Sequence, residues 1–121
     1  MKIVNLMEDT KGHPKCQYEH GLSFYVETEN HKLLLDTGAS DAFIQNAEVL
    51  GIDLKQVDTV ILSHGHYDHS GGILAFAELN PTAKIYMKDS AGNEFYHVHM
   101  DGQAEDRYIG MDQRILNLPQ C

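Results

Sequence analysis

The run His64-Gly65-His66-Tyr67-Asp68-His69 constrains this chain more than any other stretch of it. Three imidazoles and a carboxylate, all good metal donors, fall within six consecutive residues. Their placement matters as much as their density. They follow Val57-Asp58-Thr59-Val60-Ile61-Leu62-Ser63, an apolar, β-branched stretch that reads as a strand. They precede Gly71-Gly72, which opens a helical pattern that ends before Pro81. In open α/β sheets, sites form beyond the carboxyl ends of strands. A fold that suits this run must therefore bring a strand end, a tight turn and a helix start together around these side chains.

The spacing has a mechanical reading. Residues two apart in an extended segment point the same way, so His64 and His66 can face one ion. The turn then swings Asp68 and His69 toward a second position nearby. Imidazole and carboxylate donors suit zinc and also accept iron or manganese. Two such ions roughly 3.5–4 Å apart can share a bridging hydroxide. Gly71 and Gly72 allow the helix to pack closely on the turn. The plainer alternative is a set of solvated loop histidines with Asp68 capping the next helix. So many donors between a buried strand and a Gly-Gly pair weigh against it.

The rest of the chain supplies a scaffold. Lys2 to Met7 reads as a strand, and residues 8–20, with Gly12 and Pro14, as a loop. Leu22 to Thr28 and residues 32–36 read as two strands turned back through Glu29-Asn30-His31. Leu33-Leu34-Leu35 shows no alternation, which predicts a strand buried on both faces. Ser40 or Asp41 can cap a helix over 41–50, with Gly51 as its stop. Gly71 to Leu79 is a second helix. Ala83 to Met87, Phe95 to Met100 and Arg114 to Leu118 read as further strands. The order β-β-β-α-β-α-β predicts an α/β fold, a mixed sheet layered with helices.

Composition narrows the function classes. With 121 residues, 42% hydrophobic and 22% charged, the chain reads as a globular domain. A formal charge of −9, with nine basic residues scattered along the sequence, argues against nucleic acid and against anionic membrane surfaces. No apolar run approaches the ~20 residues of a membrane-spanning helix. The N-terminal apolar residues are interrupted by Asn5, Glu8 and Asp9, which does not fit a signal peptide. Cys16 and Cys121 are too few for a disulfide framework and form no C-x-x-C. The expectation is a cytoplasmic protein with reduced thiols.

Ile61-Leu62-Ser63-His64-Gly65-His66-Tyr67-Asp68-His69-Ser70-Gly71-Gly72 resembles the signature of the metallo-β-lactamase superfamily. Leu34-Leu35-Asp36-Thr37-Gly38 resembles the upstream strand of that family, whose aspartate sits behind the metals. Glu19-His20-Gly21-Leu22-Ser23-Phe24 and Arg107-Tyr108-Ile109-Gly110 are similar to its branch of metal-dependent hydrolases related to a dihydropterin ribofuranosylaminobenzene phosphate synthase. The resemblance runs from Met1 to about Leu116. It implies His64 and His66 as ligands of a first metal and Asp68 and His69 as ligands of a second. Zn²⁺ is the implied ion, one or two per chain, with Mn²⁺ or Fe²⁺ as alternatives. It implies a hydrolase in which metal-activated water attacks an ester, amide or phosphate centre of a small-molecule substrate. Asp68 would also be catalytic, orienting that water. Asp36 would orient a ligand histidine, a turn role for Asp-Thr-Gly being the alternative. Tyr67 is read as packing rather than touching substrate. For His20, the pocket rim and an ordinary surface position remain equal readings.

The resemblance also says what to look for elsewhere. Full family domains hold two similar β-sheet halves between helices. Their second half supplies a third histidine for the first metal, a bridging carboxylate and a further histidine. Residues 70–121 offer His97 and His99, with Asp89, Asp101, Asp106 and Asp112. His97 and His99 share a strand face, read here as a partly exposed face rather than substitute ligands. The expectation over 1–121 is therefore a truncated domain, half of an αββα sandwich with helices on one face of its sheet. A catalytic zinc takes three protein ligands and an open position, whereas the motif supplies two per ion. The other sheet face would be open, with Val26, Leu34, Val60 and Leu62 as candidates for it. Such a face predicts a homodimer, or a complementing chain if this is the first half of a split enzyme. A non-catalytic metal-binding half-domain, serving as an oligomerisation or partner module, is the alternative function.

Overall fold

The computed structural model describes residues 1–92, 96–97 and 107–121. Strands β1 (Lys2–Met7), β2 (Ser23–Glu27) and β3 (Lys32–Leu35) run antiparallel in succession. Strands β4 (Thr59–Ile61) and β5 (Lys84–Tyr86) then add in parallel, giving the order β1-β2-β3-β4-β5. Helix α1 (Ala42–Val49) makes the crossover from β3 to β4. Helices α2 (Tyr67–Ser70) and α3 (Ile73–Leu79) lie between β4 and β5. A short antiparallel pair, β6 (Tyr96–His97) and β7 (Arg107–Tyr108), stands apart from the main sheet. The expected mixed α/β sheet with helices is what the chain forms. Among the described residues no helix is long and apolar enough to cross a membrane.

Register explains where the core sits. Tyr25, Leu34, Val60 and Ile85 are cross-strand neighbours, and all are buried. They share the core with Phe43 and Ala47 of α1 and Ile73 and Phe76 of α3. Parallel strands joined by right-handed crossovers in one direction put both helices on one face, which accounts for this one-sided core. The opposite face carries Ile3, Val26 and Leu33 in one row and Phe24, Leu35, Ile61 and Tyr86 in the next. Ile3, Ile61 and Tyr86 are exposed there, and the other four are half-buried.

This parity corrects two expectations. Leu34, Val60 and Leu62 are buried under the helices, and of the residues assigned to the open face only Val26 lies on it. Strand β3 is likewise not buried on both faces: Leu34 is fully buried, whereas Leu33 and Leu35 are half-buried. A run of leucines hides the alternation that the pleat imposes. Two element boundaries differ as well. The helix expected over 71–79 is preceded by a separate single turn, α2, that carries Asp68 and His69. The strand expected over 114–118 is a 3₁₀ helix, Gln113–Asn117, because the Asp112 side chain accepts the Arg114 amide and closes a local turn instead. His97 lies on β6, and His99 lies outside the described residues.

Candidate metal centre

The site begins where β3 ends. Asp36 is almost fully buried and sits at φ +56, a left-handed conformation unusual for a side-chain-bearing residue. Its amide donates to the Ile61 carbonyl at 3.0 Å, and its carbonyl accepts the Ser23 hydroxyl at 2.8 Å. The turn that follows is stitched to α2. Thr37 donates through its amide and hydroxyl to the His69 carbonyl, at 2.7 and 3.0 Å, and accepts the Gly72 amide. Gly71 has to be glycine here, since a Cβ on it would meet the Ala39 carbonyl oxygen at 2.0 Å.

The histidine turn is packed on its other side. A Cβ on Gly65 would lie 1.7 Å from the Ala91 carbonyl oxygen, so the 3₁₀ segment Asp89–Gly92 presses directly on the backbone. The Tyr67 amide donates to the Ile109 carbonyl at 2.8 Å, and His66 forms an isolated bridge with Gly110. The His66 carbonyl accepts the His69 and Ser70 amides and the Ser70 hydroxyl, which closes α2.

On this frame the donor atoms converge. One ligand atom from each of His64, Asp68 and His69 lies within 4.8 Å of those of the other two. The rings of His64 and His69 are 4.1 Å apart between centroids. His66 stands outside that group of donor atoms, with its ring edge-on to His64 at 4.7 Å. The expected pairing of His64 with His66 and of Asp68 with His69 thus meets a different grouping, in which His64 joins Asp68 and His69.

Asp36 organises two of these rings. Its Oδ1 accepts the Ser63 amide at 2.7 Å, and its Oδ2 accepts the Ser63 hydroxyl at 2.6 Å. Oδ2 also lies 2.8 Å from His69 Nδ1. A carboxylate only accepts, so His69 carries its proton on Nδ1. The Ser63 hydrogen being committed to Asp36, its oxygen accepts from His64 Nδ1 at 2.9 Å. One carboxylate therefore fixes the tautomer of both imidazoles and leaves both Nε2 lone pairs for an ion. Loss of water around the ring, reinforced by the neighbouring His69 and His66, holds the His64 pKa below its ordinary value despite Asp36 and Asp68. A neutral imidazole is the ligating form. The donor set thus fits a borderline divalent ion such as zinc.

Two further residues join the site. The Glu19 carboxylate accepts the Ala39 and Ser40 amides and the Ser40 hydroxyl, fastening the segment before β2 to the start of α1. His20, next to it, reaches Asp68. Ser63 and Glu19 lie inside sequence segments already singled out, yet nothing in the residue types alone assigns them these partners. The signal available for Ser63 was its position immediately before His64.

A family model described as "Metallo-beta-lactamase superfamily" matches residues 18–117. The 7,8-dihydropterin-6-methyl-4-(beta-D-ribofuranosyl)-aminobenzene-5'-phosphate synthase of Methanocaldococcus jannaschii is 36% identical over 93 residues, covering 71% of this chain and 32% of that protein. A hydroxyacylglutathione hydrolase of Aeromonas hydrophila is 33% identical over 95 residues, covering 78% of this chain and 36% of that protein. A crystal structure described as a metal-dependent hydrolase of the beta-lactamase superfamily superposes with a TM-score of 0.72 at 32% identity, covering 96% of this chain and 39% of that one. The chain thus spans about a third to two-fifths of the length of these relatives.

Proposed function

Since this chain belongs to the metallo-beta-lactamase superfamily, we propose that it is a metal-dependent hydrolase for a small molecule with an ester, amide or phosphate centre. The observation that carries this reading is the buried Asp36, which orients His69 directly and His64 through Ser63 while Asp68 closes the donor group. A solvated loop has no use for such an arrangement. His64, Asp68 and His69 would hold the ion, with His66 brought in from its edge-on position beside His64. Zn²⁺ suits these donors best, and Mn²⁺ or Fe²⁺ are alternatives. A bound ion supplies Lewis acidity and a water acidic enough to attack near neutral pH. Asp68, half-buried, then has a carboxylate oxygen with which to orient that water. The two Nδ1 protons, held by Asp36 and Ser63, keep the rings from rotating away. Both cysteines are free thiols, in keeping with the reducing cytoplasm.

The test is metal content per chain after dialysis, followed by hydrolysis of generic esters and phosphodiesters with added Zn²⁺ or Mn²⁺. Wild type should retain one or two ions and turn over part of the panel, and His64→Ala should do neither. Equal inactivity of the two across the panel overturns the enzymatic reading. Retained metal without turnover would instead favour a non-catalytic metal-binding module, the reading supported by the apolar open sheet face.

A further inference from the structure

We propose that the hollow beside the metal centre receives an organic anion with an apolar body, Tyr86 and Ile61 taking the body and Lys88 the charge. The inference rests on the hydrolase reading above and names the substrate class for that site.

The hollow lies at the carboxyl ends of β4 and β5, where open α/β sheets place their ligands. Ile61, Leu62, Ser63, Tyr86, Met87 and Lys88 line about 340 Å³, a volume within the range of small-molecule sites. Its walls join the metal centre at two points. Ser63 forms part of one wall and also holds His64 Nδ1 at 2.9 Å. On the other strand, the Lys88 carbonyl accepts the Ala91 amide at 3.0 Å, and the Ala91 carbonyl presses on Gly65 of the histidine turn. The Leu62 amide donates to the Tyr86 carbonyl at 2.9 Å and ties the two strand ends together. A molecule whose reacting centre sits at the donor group has this hollow next to it for the rest of its bulk.

The lining says what that bulk is. Ile61 and Tyr86 are cross-strand partners, 42% and 59% exposed, side by side on one sheet face. With half-buried Met87 they offer an apolar surface on which a ring or acyl chain can shed its water. The Tyr86 ring also suits offset stacking with an aromatic ligand. Lys88 adds one charge to this lining. It is exposed, and among the described residues no carboxylate lies within ion-pair distance of it. Eighteen acidic residues against nine basic ones repel an anion from most of the surface. An unpaired ammonium at the hollow gives such an anion a local partner. A neutral apolar molecule would leave Lys88 unused, and a bare inorganic anion would leave Tyr86 unused.

The experiment titrates the whole chain without metal, by ¹H–¹⁵N NMR, with phenyl phosphate, inorganic phosphate and phenol. Phenyl phosphate is expected to shift the amides of residues 61–63 and 86–88. It should bind about tenfold more tightly than inorganic phosphate or phenol. Lys88→Gln should weaken it about tenfold, Lys88→Arg should restore it, and Tyr86→Ala should reduce it to the level of inorganic phosphate. Thermal melts and light scattering check that the variants keep fold and mass. Shifts centred elsewhere, or Lys88→Gln binding as tightly as wild type, overturn the proposal. In a second arm the Zn²⁺-loaded chain is offered bis(para-nitrophenyl) phosphate, and Lys88→Gln should raise KM more than it lowers kcat. Turnover with the same KM in both chains overturns the proposal and leaves the hydrolase reading standing. Binding in the hollow without turnover by wild type overturns the hydrolase reading and leaves the hollow as a binding site for such anions.

Discussion

Asp36 shows how much one residue can be asked to do. A non-glycine residue in the left-handed region is strained by roughly 1–2 kcal/mol, and this one is buried as well. The strain is tolerated because its carboxylate receives the Ser63 amide, the Ser63 hydroxyl and His69. Asn in its place keeps the shape but turns one acceptor into a donor facing donors. Asp36→Asn is expected to lower zinc affinity by about 10–100-fold, read by chelator competition. Ser63→Ala should act on one ring alone. In ¹⁵N NMR of the imidazoles, His69 should keep its proton on Nδ1 while His64 becomes a tautomer mixture. If both rings change together, the relay through Ser63 is wrong. Asp36 was legible in the sequence because its segment resembles a known one. Ser63 was not, because a serine's role depends on which oxygen it faces, and that is set only when β3 and β4 pair.

At the scale of elements, the β2–β3 hairpin carries its own clamp far from the metal centre. Asp58 accepts the Thr59 hydroxyl at 2.6 Å and the Lys32 amide at 2.8 Å, and lies 3.1 Å from His31 Nδ1. These contacts, the Thr59 hydroxyl first, hold its pKa below the ordinary carboxylate value of 3.8. A depressed carboxylate contributes stability that is fully present above its unfolded pKa and is lost as the pH falls through the folded one. Urea midpoints for wild type should therefore drop below about pH 4, and the drop should be shallower in Asp58→Asn. Gly71 belongs to the same scale, because it lets α2 and the Asp-Thr-Gly turn touch. Gly71→Ala is expected to destabilise by about 3 kcal/mol in the same assay. An unchanged midpoint would mean that the two segments separate at little cost. The strand–turn–strand pattern and the two crossovers were readable because hydrophobic runs and turn residues are local signals. Which face of β3 is buried was not, since Leu33-Leu34-Leu35 is uniformly apolar and only the register with Tyr25 and Val60 assigns Leu34 inward.

At the scale of the whole molecule, an apolar sheet face is exposed among the described residues. Ile3, Phe24, Leu35, Ile61 and Tyr86 lie on it, drawn from all five strands. We expect a second copy of this chain to cover it, sheet on sheet, at the ~10 Å spacing such layers adopt. Light scattering after size exclusion should give a dimer mass, and Ile61→Glu should give a monomer that melts like wild type. Each copy carries −9, so association should strengthen with salt as the repulsion is screened. A monodisperse wild-type monomer at every salt concentration sinks this expectation.

The turn that carries the donors touches segments spread along most of the chain: Leu22, the Asp36–Ala39 stretch, Ala91 and the Ile109–Gly110 backbone. Contacts this distant in sequence close late, because each loop must be closed before its contacts compensate the lost entropy. Convergence of the donor side chains should therefore be among the last events of folding. A ribosome would have to release residues well past 110 before these donors could converge, so their convergence reports that the Ile109–Gly110 segment has already docked.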